Sequence, residues 1–512
     1  MKRAGGKVYL IGAGPGDPGL LTVRGARLLQ KSDAVVYDGL VNPGLLENLT
    51  AEKWNVSKSF ASGSRRHGTD QGKINRLLVK LAWQGKTVAR LKGGDPFIFG
   101  RGGEEASCLK KNGITFEVVP GVSAAASVPA YAGIPVTDRR FASSVTLVTC
   151  HEDPAKGKSE INWRALAELG GTLVFFMGLK NIESVIGKLI LEGRASSTPC
   201  CVIEWGTLPR QRVVEGTLKT IAARVARAEL RSPALTVVGE TAALRAELGW
   251  FEQKTLFAKK IIVTRPENQN AELSCLLRER GAEVIECPAI RILPPKNVSA
   301  LDRVLRDLTP FDWILFTSVN SADFFLKRLR TLKKDSRALS RVKIGAVGET
   351  TARFLAGHGL RADLIPGEFH TRALVQALLK KKAIRGKHFL LPRTDIAPPF
   401  LKQALEKAGG RVTAVTAYRT VRDARKLTGL REAVRAGEPD FVLLTSASTA
   451  RHFFNALPRP LRAKIRRKLV SIGPATTEAL QQLGLKPLLQ AREHTVEGLV
   501  RALEAFTAKQ RK

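Results

Sequence analysis

Over residues 7–247 the chain alternates short apolar runs with longer amphipathic segments, and glycine or proline punctuates the changes. That pattern predicts an α/β architecture: a strand buried on both faces is apolar throughout, whereas a helix covering it keeps one polar face. Val8–Ile11, Val88–Lys92 and Thr172–Leu179 read as strands, and the small-residue run Ala124–Tyr131 reads as a helix. A further helix is expected from Glu104 to the stop signal Asn112-Gly113. No apolar run approaches the roughly 20 residues that cross a bilayer. After the segment from Trp250 to Lys260, a new β run at Ile261–Pro266 opens a second half.

The second half repeats itself. Asp312, Thr317 and Ser318 recur as Asp440, Thr445 and Ser446, while Gly348 and Thr351 recur at the same spacing as Gly473 and Thr476. Two similar α/β lobes are implied, each with hydroxyl residues where a strand ends and a helix begins. Such positions cap helices, and their hydroxyl and N–H groups also suit carboxylates.

Residues 90–105 carry the densest chemical signal, because the β run breaks at Lys92 into Gly93-Gly94-Asp95 and then Gly100, Gly102 and Gly103. A glycine loop lets backbone approach a ligand, and open α/β sheets bind ligands at the carboxyl ends of their strands. Gly12, Gly14 and Gly16 follow the first strand, but the third glycine falls one residue too early for a dinucleotide fingerprint. Pro120-Gly121 and Ser123, ahead of the small-residue helix, offer a second wall for the same pocket.

At 512 residues the chain exceeds one ordinary domain. Its 83 basic against 46 acidic residues leave +37, a field that attracts anions, whether nucleic acid, acidic membrane or a polycarboxylate metabolite. The dense stretches Arg459–Lys468 and Lys509–Lys512 read as solvated faces. Six cysteines without C-x-x-C spacing and scattered histidines point to neither a metal site nor a disulfide framework, which fits a reducing cytoplasm. Met1-Lys2-Arg3 is basic like a signal peptide, but the apolar stretch after it is broken by Gly12–Asp17, so no targeting segment is expected.

On Gly12–Pro18, Val36-Tyr37-Asp38, Arg90–Glu105, Pro120-Gly121, Met177-Gly178 and Ser232–Leu235, the first half resembles uroporphyrinogen-III C-methyltransferases of the tetrapyrrole methylase family. The resemblance implies a two-lobed fold over 1–250, with lobes of about 1–118 and 119–250, and a likeness to homodimers. It also implies S-adenosylmethionine as methyl donor, no metal, and methylation of uroporphyrinogen III at carbons 2 and 7 to give precorrin-2. The donor pocket it implies comprises Pro15, Gly93, Gly94, Asp95, Ile98, Ser123, Ala124, Met177 and Gly206, with Asp38 as proton acceptor, Lys58 as proton donor and Arg139 on the substrate. The chain departs from the family at Gly39, at Ser57–Ala61, at Asp138 in place of histidine and at Trp205 in place of asparagine.

On Thr264-Arg265-Pro266, Phe316–Ser318, Val347-Gly348, Ala417–Thr420, Leu444–Ser446 and Ile472–Pro474, the second half resembles uroporphyrinogen-III synthases. That implies two lobes with parallel sheets over 260–512 after a linker at 251–259: lobe A about 260–292 plus 421–512, lobe B about 293–420. It implies cyclisation of hydroxymethylbilane with inversion of ring D, Tyr418 assisting loss of the hydroxyl, and Arg265, Ser318, Thr351, Ser446 and Thr476 contacting carboxylates. The two reactions are consecutive, and both substrates are eight-carboxylate tetrapyrroles suited to a basic protein, with no nucleic acid or membrane needed. The competing readings are a chain active only as synthase, a methylase half acting on another precorrin, and a basic nucleic-acid-binding protein.

Overall fold

The computed structural model describes residues 5–47, 49–56, 71–151, 160–266, 269–368, 370–422 and 438–511. They form two compact units, residues 1–259 with 277–283 and 504–512, and residues 260–276 with 284–503.

The first unit opens with a parallel sheet. Its strands are β1 (Lys7–Gly12), β2 (Ala34–Tyr37), β3 (Glu52–Asn55), β4 (Val88–Lys92) and β5 (Thr115–Val119), in the order β3-β2-β4-β1-β5. Val8, Leu10, Val36 and Val88 pack on one side against Leu78 and Leu109 of the helices Gln71–Trp83 and Gly102–Lys111. Ile11, Val35, Ala89 and Leu91 fill the other side. Because side chains alternate along a strand, Arg90 and Lys92 share the face of Val88, toward those two helices. The second helix begins at Gly102, two residues before its expected start. A Cβ at Gly102 would lie 2.3 Å from the Pro96 carbonyl, so glycine there lets the helix start hard against the loop.

The second sheet contains β6 (Val145–Thr149), β7 (Thr172–Phe176), β8 (Pro199–Glu204), β9 (Arg212–Thr217) and β10 (Ala234–Val238), in the order β6-β7-β10-β8-β9. Only β6 and β7 run parallel; the other three pairings are antiparallel. Strand β7 stops at Phe176 rather than Leu179, since Met177 takes a left-handed φ of 56°. The helix Ala124–Tyr131 has the expected bounds. Residues 251–259 are turns tied into this lobe: Phe251 and Leu256 are buried, and the Phe251 ring packs edge-on against Tyr131 at 4.8 Å.

The second unit has two sheets. β11 (Lys260–Val263) and β12 (Glu283–Glu286) join β18 (Phe441–Leu444), β19 (Leu469–Ser471) and β20 (Leu489–Gln490) in the order β12-β11-β18-β19-β20. The other sheet is β13 (Ile290–Leu293), β14 (Trp313–Phe316), β15 (Lys343–Ala346), β16 (His388–Thr394) and β17 (Arg411–Arg422), in the order β13-β17-β16-β14-β15. Strands β14 to β17 pair in parallel, but β13 is antiparallel to the far end of the 12-residue β17, Leu293 facing Arg419 and Ile290 facing Arg422. Ile290 and Ile292 pack into the core built on Ile262, Val442 and Leu444, so β13 stays with lobe A by packing while its backbone pairs with the far end of β17, beyond the reach of β16.

Candidate functional site

Three glycine segments of the first unit meet backbone to backbone. Gly14 and Gly94 exchange N–H to carbonyl hydrogen bonds at 3.3 and 2.8 Å, and the Ala13 N–H donates to the Lys92 carbonyl at 2.7 Å. A Cβ at Gly12 would meet the Gly121 Cα at 2.5 Å, and one at Gly121 would meet the Gly94 carbonyl at 2.4 Å. Asp95 ties the assembly together, its carboxylate accepting from the Gly121 N–H at 3.0 Å and from the Phe97 N–H at 2.8 Å. A Cβ at Gly94 would meet only the Ala124 N, at 3.8 Å, so beside Gly94 the cradle is open. Ser123 caps the following helix by accepting from the Ala125 N–H.

The other expected donor-pocket residues are linked to this cradle to different degrees. The Phe99 ring lies 5.0 Å from that of Phe176, which ties the loop bearing half-exposed Ile98 to the strand end before Met177. Gly206 packs on Val128 of the helix that Ser123 caps, where a Cβ would come within 2.4 Å. Pro15 lies between Gly14 and Gly16, and the next residue, Asp17, is held by Tyr131 through its carboxylate (2.7 Å) and by Thr207 Oγ1 through its N–H (3.1 Å). Among the described residues, nine non-glycine residues have positive φ, and five of them, Phe99, Arg101, Met177, Trp205 and Thr207, sit on these loops. Each costs about 1–3 kcal/mol, so the surrounding packing must over-determine the loops.

Asp38 follows β2, and its N–H donates to the Leu91 carbonyl at 3.3 Å; two residues on, Leu40 touches the place a Cβ would take on Gly93. Its Oδ1 accepts from Arg90 Nη2 at 2.6 Å, and no hydrogen bond reaches its Oδ2 among the described residues. Arg90 is almost fully buried, as are Lys92 and Glu105. Arg90 Nε (3.0 Å), Lys92 Nζ (3.0 Å) and Gln71 Nε2 (3.1 Å) all donate to Glu105 Oε1, while Oε2 is buried without a partner among the described residues. Burial and the neighbouring Arg90 guanidinium lower the Lys92 pKa. This network is absent from the expected site. Its trace in the sequence is an Arg-x-Lys alternation within an apolar strand, followed by a glutamate one turn into a helix.

Lys58 lies outside the described residues. Arg139 is exposed on a turn, where Asp138 accepts from the side chain and the N–H of Arg140, which lowers its pKa. The structure shows no contact between Arg139 and the glycine cradle. Trp205 carries φ 48°, a left-handed conformation that asparagine adopts more readily than tryptophan, and Arg210 stacks over its ring at 3.5 Å.

In the second unit, Ser318 follows β14 and caps the helix Val319–Thr331 through a reciprocal box with Ser321. Its Oγ lies 3.3 Å from the Tyr418 hydroxyl, and burial raises the phenol pKa, so Tyr418 stays protonated. Ser446 is the counterpart cap after β18, accepting from the Thr449 N–H at 3.1 Å. Thr351 and Thr476 are both buried, in helices that begin after Gly348 and Gly473. What those two positions offer a carboxylate is therefore mainly the helix start rather than the hydroxyl. Arg265 follows β11, with Nη1 buried and unpartnered among the described residues and its pKa lowered by burial. Nearby, Gln269 Nε2 donates to Asn320 Oδ1 at 2.6 Å, joining the Arg265 segment to the helix that Ser318 caps.

No cluster of potential metal ligands occurs among the described residues, no described helix is long and apolar enough to cross a membrane, and none of the six cysteines forms a disulfide. Residues 7–222 match the family of tetrapyrrole (corrin/porphyrin) methylases, and residues 271–501 match uroporphyrinogen-III synthase HemD. The chain is 36% identical to the porphyrin biosynthesis protein HemD of Ruminiclostridium josui, over 97% of each chain. It is 39% identical to a uroporphyrinogen-III C-methyltransferase of Bacillus subtilis, over 73% of this chain and 76% of that one. Over 49% of this chain and 96% of the other it is 49% identical to an S-adenosyl-L-methionine-dependent uroporphyrinogen III methyltransferase of Methanosarcina barkeri.

Proposed function

Because the chain belongs to the tetrapyrrole methylases through its first half and to the uroporphyrinogen-III synthases through its second, we propose that it closes hydroxymethylbilane into uroporphyrinogen III with ring D inverted and then methylates that product at carbons 2 and 7 to precorrin-2. It is a bifunctional enzyme of tetrapyrrole biosynthesis. The observation that carries the methyl-transfer reading is the convergence of Gly12–Gly14, Gly93-Gly94 and Gly121 at the ends of parallel strands, with Asp38 at the end of the neighbouring strand, its N–H on the Leu91 carbonyl. The open side of Gly94 and the small residues at Ser123 and Ala124 fit a ligand laid against main chain. Pro15, Asp95, Ile98, Met177 and Gly206 complete the pocket for the donor, and Arg139 is assigned to a substrate carboxylate. When bound, S-adenosylmethionine supplies an already activated methyl group, so the protein's task is alignment and proton management. Asp38 Oδ2 takes the proton that the pyrrole system loses once a ring carbon, which itself bears no hydrogen, has gained the methyl group. The methylase half is assigned to a homodimer, and the reaction to a reducing cytoplasm that keeps the six cysteines out of disulfides.

In the synthase half, Tyr418 donates a hydrogen bond to the departing hydroxyl of the bilane, oriented by Ser318. Arg265 and the helix starts at Ser318, Thr351, Ser446 and Thr476 bind carboxylates and hold the two ends of the linear molecule together, which is the larger part of the catalysis. The test supplies enzymatically made hydroxymethylbilane with and without S-adenosylmethionine and identifies the products by isomer and mass. Isomer III alone, then a dimethylated product with the donor, is expected; isomer I would remove the synthase assignment, and isomer III without methylation would remove the methylase assignment. Asp38→Asn is expected to slow methylation at least tenfold and leave ring closure unchanged in the same assay.

A further inference from the structure

Resting on that reading of Asp38, we propose that Arg90 is a positioning residue for methyl transfer, held by Glu105 and Lys92 so that its guanidinium fixes one oxygen of Asp38 and leaves the other for the substrate proton. The geometry is unusual for a surface ion pair. Arg90 and Lys92 project from β4 to the helix-covered face of the sheet and are almost fully buried, as is Glu105. A guanidinium can serve two carboxylates at once because its donors point in fixed, divergent directions. Arg90 does so: Nε donates to Glu105 at 3.0 Å while Nη2 donates to Asp38 at 2.6 Å.

Glu105 is the anchor. Three donors from three places, Arg90, Lys92 and Gln71, converge on its Oε1. The whole cluster is electrically balanced, two cations against two carboxylates, when Asp38 is ionised. Asp38 is its only partly exposed charged member, with 31% of its side chain accessible against 4% or less for Arg90, Lys92 and Glu105. A buried network of this kind has few alternative arrangements, because any donor that turned away would be left unpaired out of water. Asp38 is therefore fixed through Oδ1 from the protein interior, and Oδ2, with no hydrogen-bond partner among the described residues, is the atom available to accept a proton. This explains why a strand otherwise filled by Val88, Ala89 and Leu91 carries two cations: they set the direction in which the carboxylate of the neighbouring strand presents itself.

Arg90→Lys tests the idea, since it keeps the buried charge but a single ammonium cannot bridge Glu105 and Asp38. With the full-length chain, the expected result is a fall in kcat for methylation of tenfold or more, with the calorimetric Kd for S-adenosylmethionine and the KM for uroporphyrinogen III within threefold of the parent. Combining Arg90→Lys with Asp38→Asn should cost no more than Asp38→Asn alone, because residues that act as one unit are not additive. An additive loss, or a loss of donor binding matching the loss of kcat, would overturn the positioning role. So would unchanged methylation in Arg90→Lys when Asp38→Asn is impaired. If Asp38→Asn methylates normally, it is the reading of Asp38 as base that fails. Should Arg90→Lys not fold, the isosteric Glu105→Gln leaves Arg90 in place but weakens its anchor, and is expected to lower kcat severalfold at constant donor Kd; unchanged kcat there would overturn the proposal.

Discussion

Tyr418 and Arg90 illustrate two ways in which burial prepares a side chain. The Tyr418 phenol is buried, keeps its proton because burial disfavours the phenolate, and meets a neutral hydroxyl on Ser318. Removing that hydroxyl takes away one neutral hydrogen bond, typically worth about 1 ± 0.5 kcal/mol. Tyr418→Phe is accordingly expected to slow ring closure by less than about tenfold, measured as the initial rate of uroporphyrinogen III formation; complete loss with the fold intact would mean that the phenol does chemistry and not merely positioning. Arg90, by contrast, is a buried charge between two carboxylates, and deleting one partner of such a pair leaves the others stranded at a cost of about 3–5 kcal/mol. That difference is why a charge-conserving lysine, and not alanine, isolates what Arg90 contributes. Trp205 shows a third device. Its left-handed backbone is unfavourable for a bulky side chain, and the Arg210 guanidinium stacked 3.5 Å over the indole is a contact that offsets part of that cost in the loop carrying Gly206.

The elements that build the methyl-transfer site are loops whose conformation depends on what is absent from them. At Gly121 an added methyl would lie 2.4 Å from the Gly94 carbonyl and 2.6 Å from the Gly12 Cα, both main-chain atoms that cannot swing aside. Gly121→Ala must separate two strand ends, and overpacking of this kind costs about 1–3 kcal/mol. It is expected to weaken S-adenosylmethionine at least tenfold by calorimetry, whereas Gly187→Ala, with open space around it in the helix Ile182–Leu191, should leave donor affinity unchanged and raise stability by up to about 1 kcal/mol. The three glycine loops and the paired helix caps at Ser318 and Ser446 were legible in the sequence because their signals are local: a strand ends, glycine or serine follows, a helix begins. The charge network was not, since Arg90 and Lys92 at alternate positions resemble one solvated face of a strand until Glu105 is brought over them by the next helix. Nor could the pattern place β13, whose partner at the far end of β17 lies more than a hundred residues downstream. The antiparallel majority of the second sheet was hidden for the same reason, because alternation along a strand does not encode the direction of its neighbour.

For the molecule as a whole, the excess of 83 basic over 46 acidic residues is much larger than the few cations paired at the sites require. Its use follows from the substrates, which carry eight carboxylates each, whereas the methyl donor bears a sulfonium cation. A field of +37 therefore helps the tetrapyrroles arrive and gives the donor no such advantage. Salt separates these cases, because the screening length falls from about 10 Å at 0.1 M to about 3 Å at 1 M and buried contacts are screened far less. Raising sodium chloride from about 0.05 to 0.5 M is expected to increase the KM for hydroxymethylbilane and for uroporphyrinogen III severalfold. Over the same range the Kd for S-adenosylmethionine should change less than twofold, since the pocket proposed for it is lined largely by main chain and its carboxylate, Asp95, is already tied to the Gly121 and Phe97 N–H groups. Steady-state kinetics of both reactions across a salt series, alongside calorimetry of the donor, measure the three constants separately. A donor affinity that followed salt as steeply as the tetrapyrrole KM would show the charge excess acting on the protein's folding rather than on the capture of its polycarboxylate substrates.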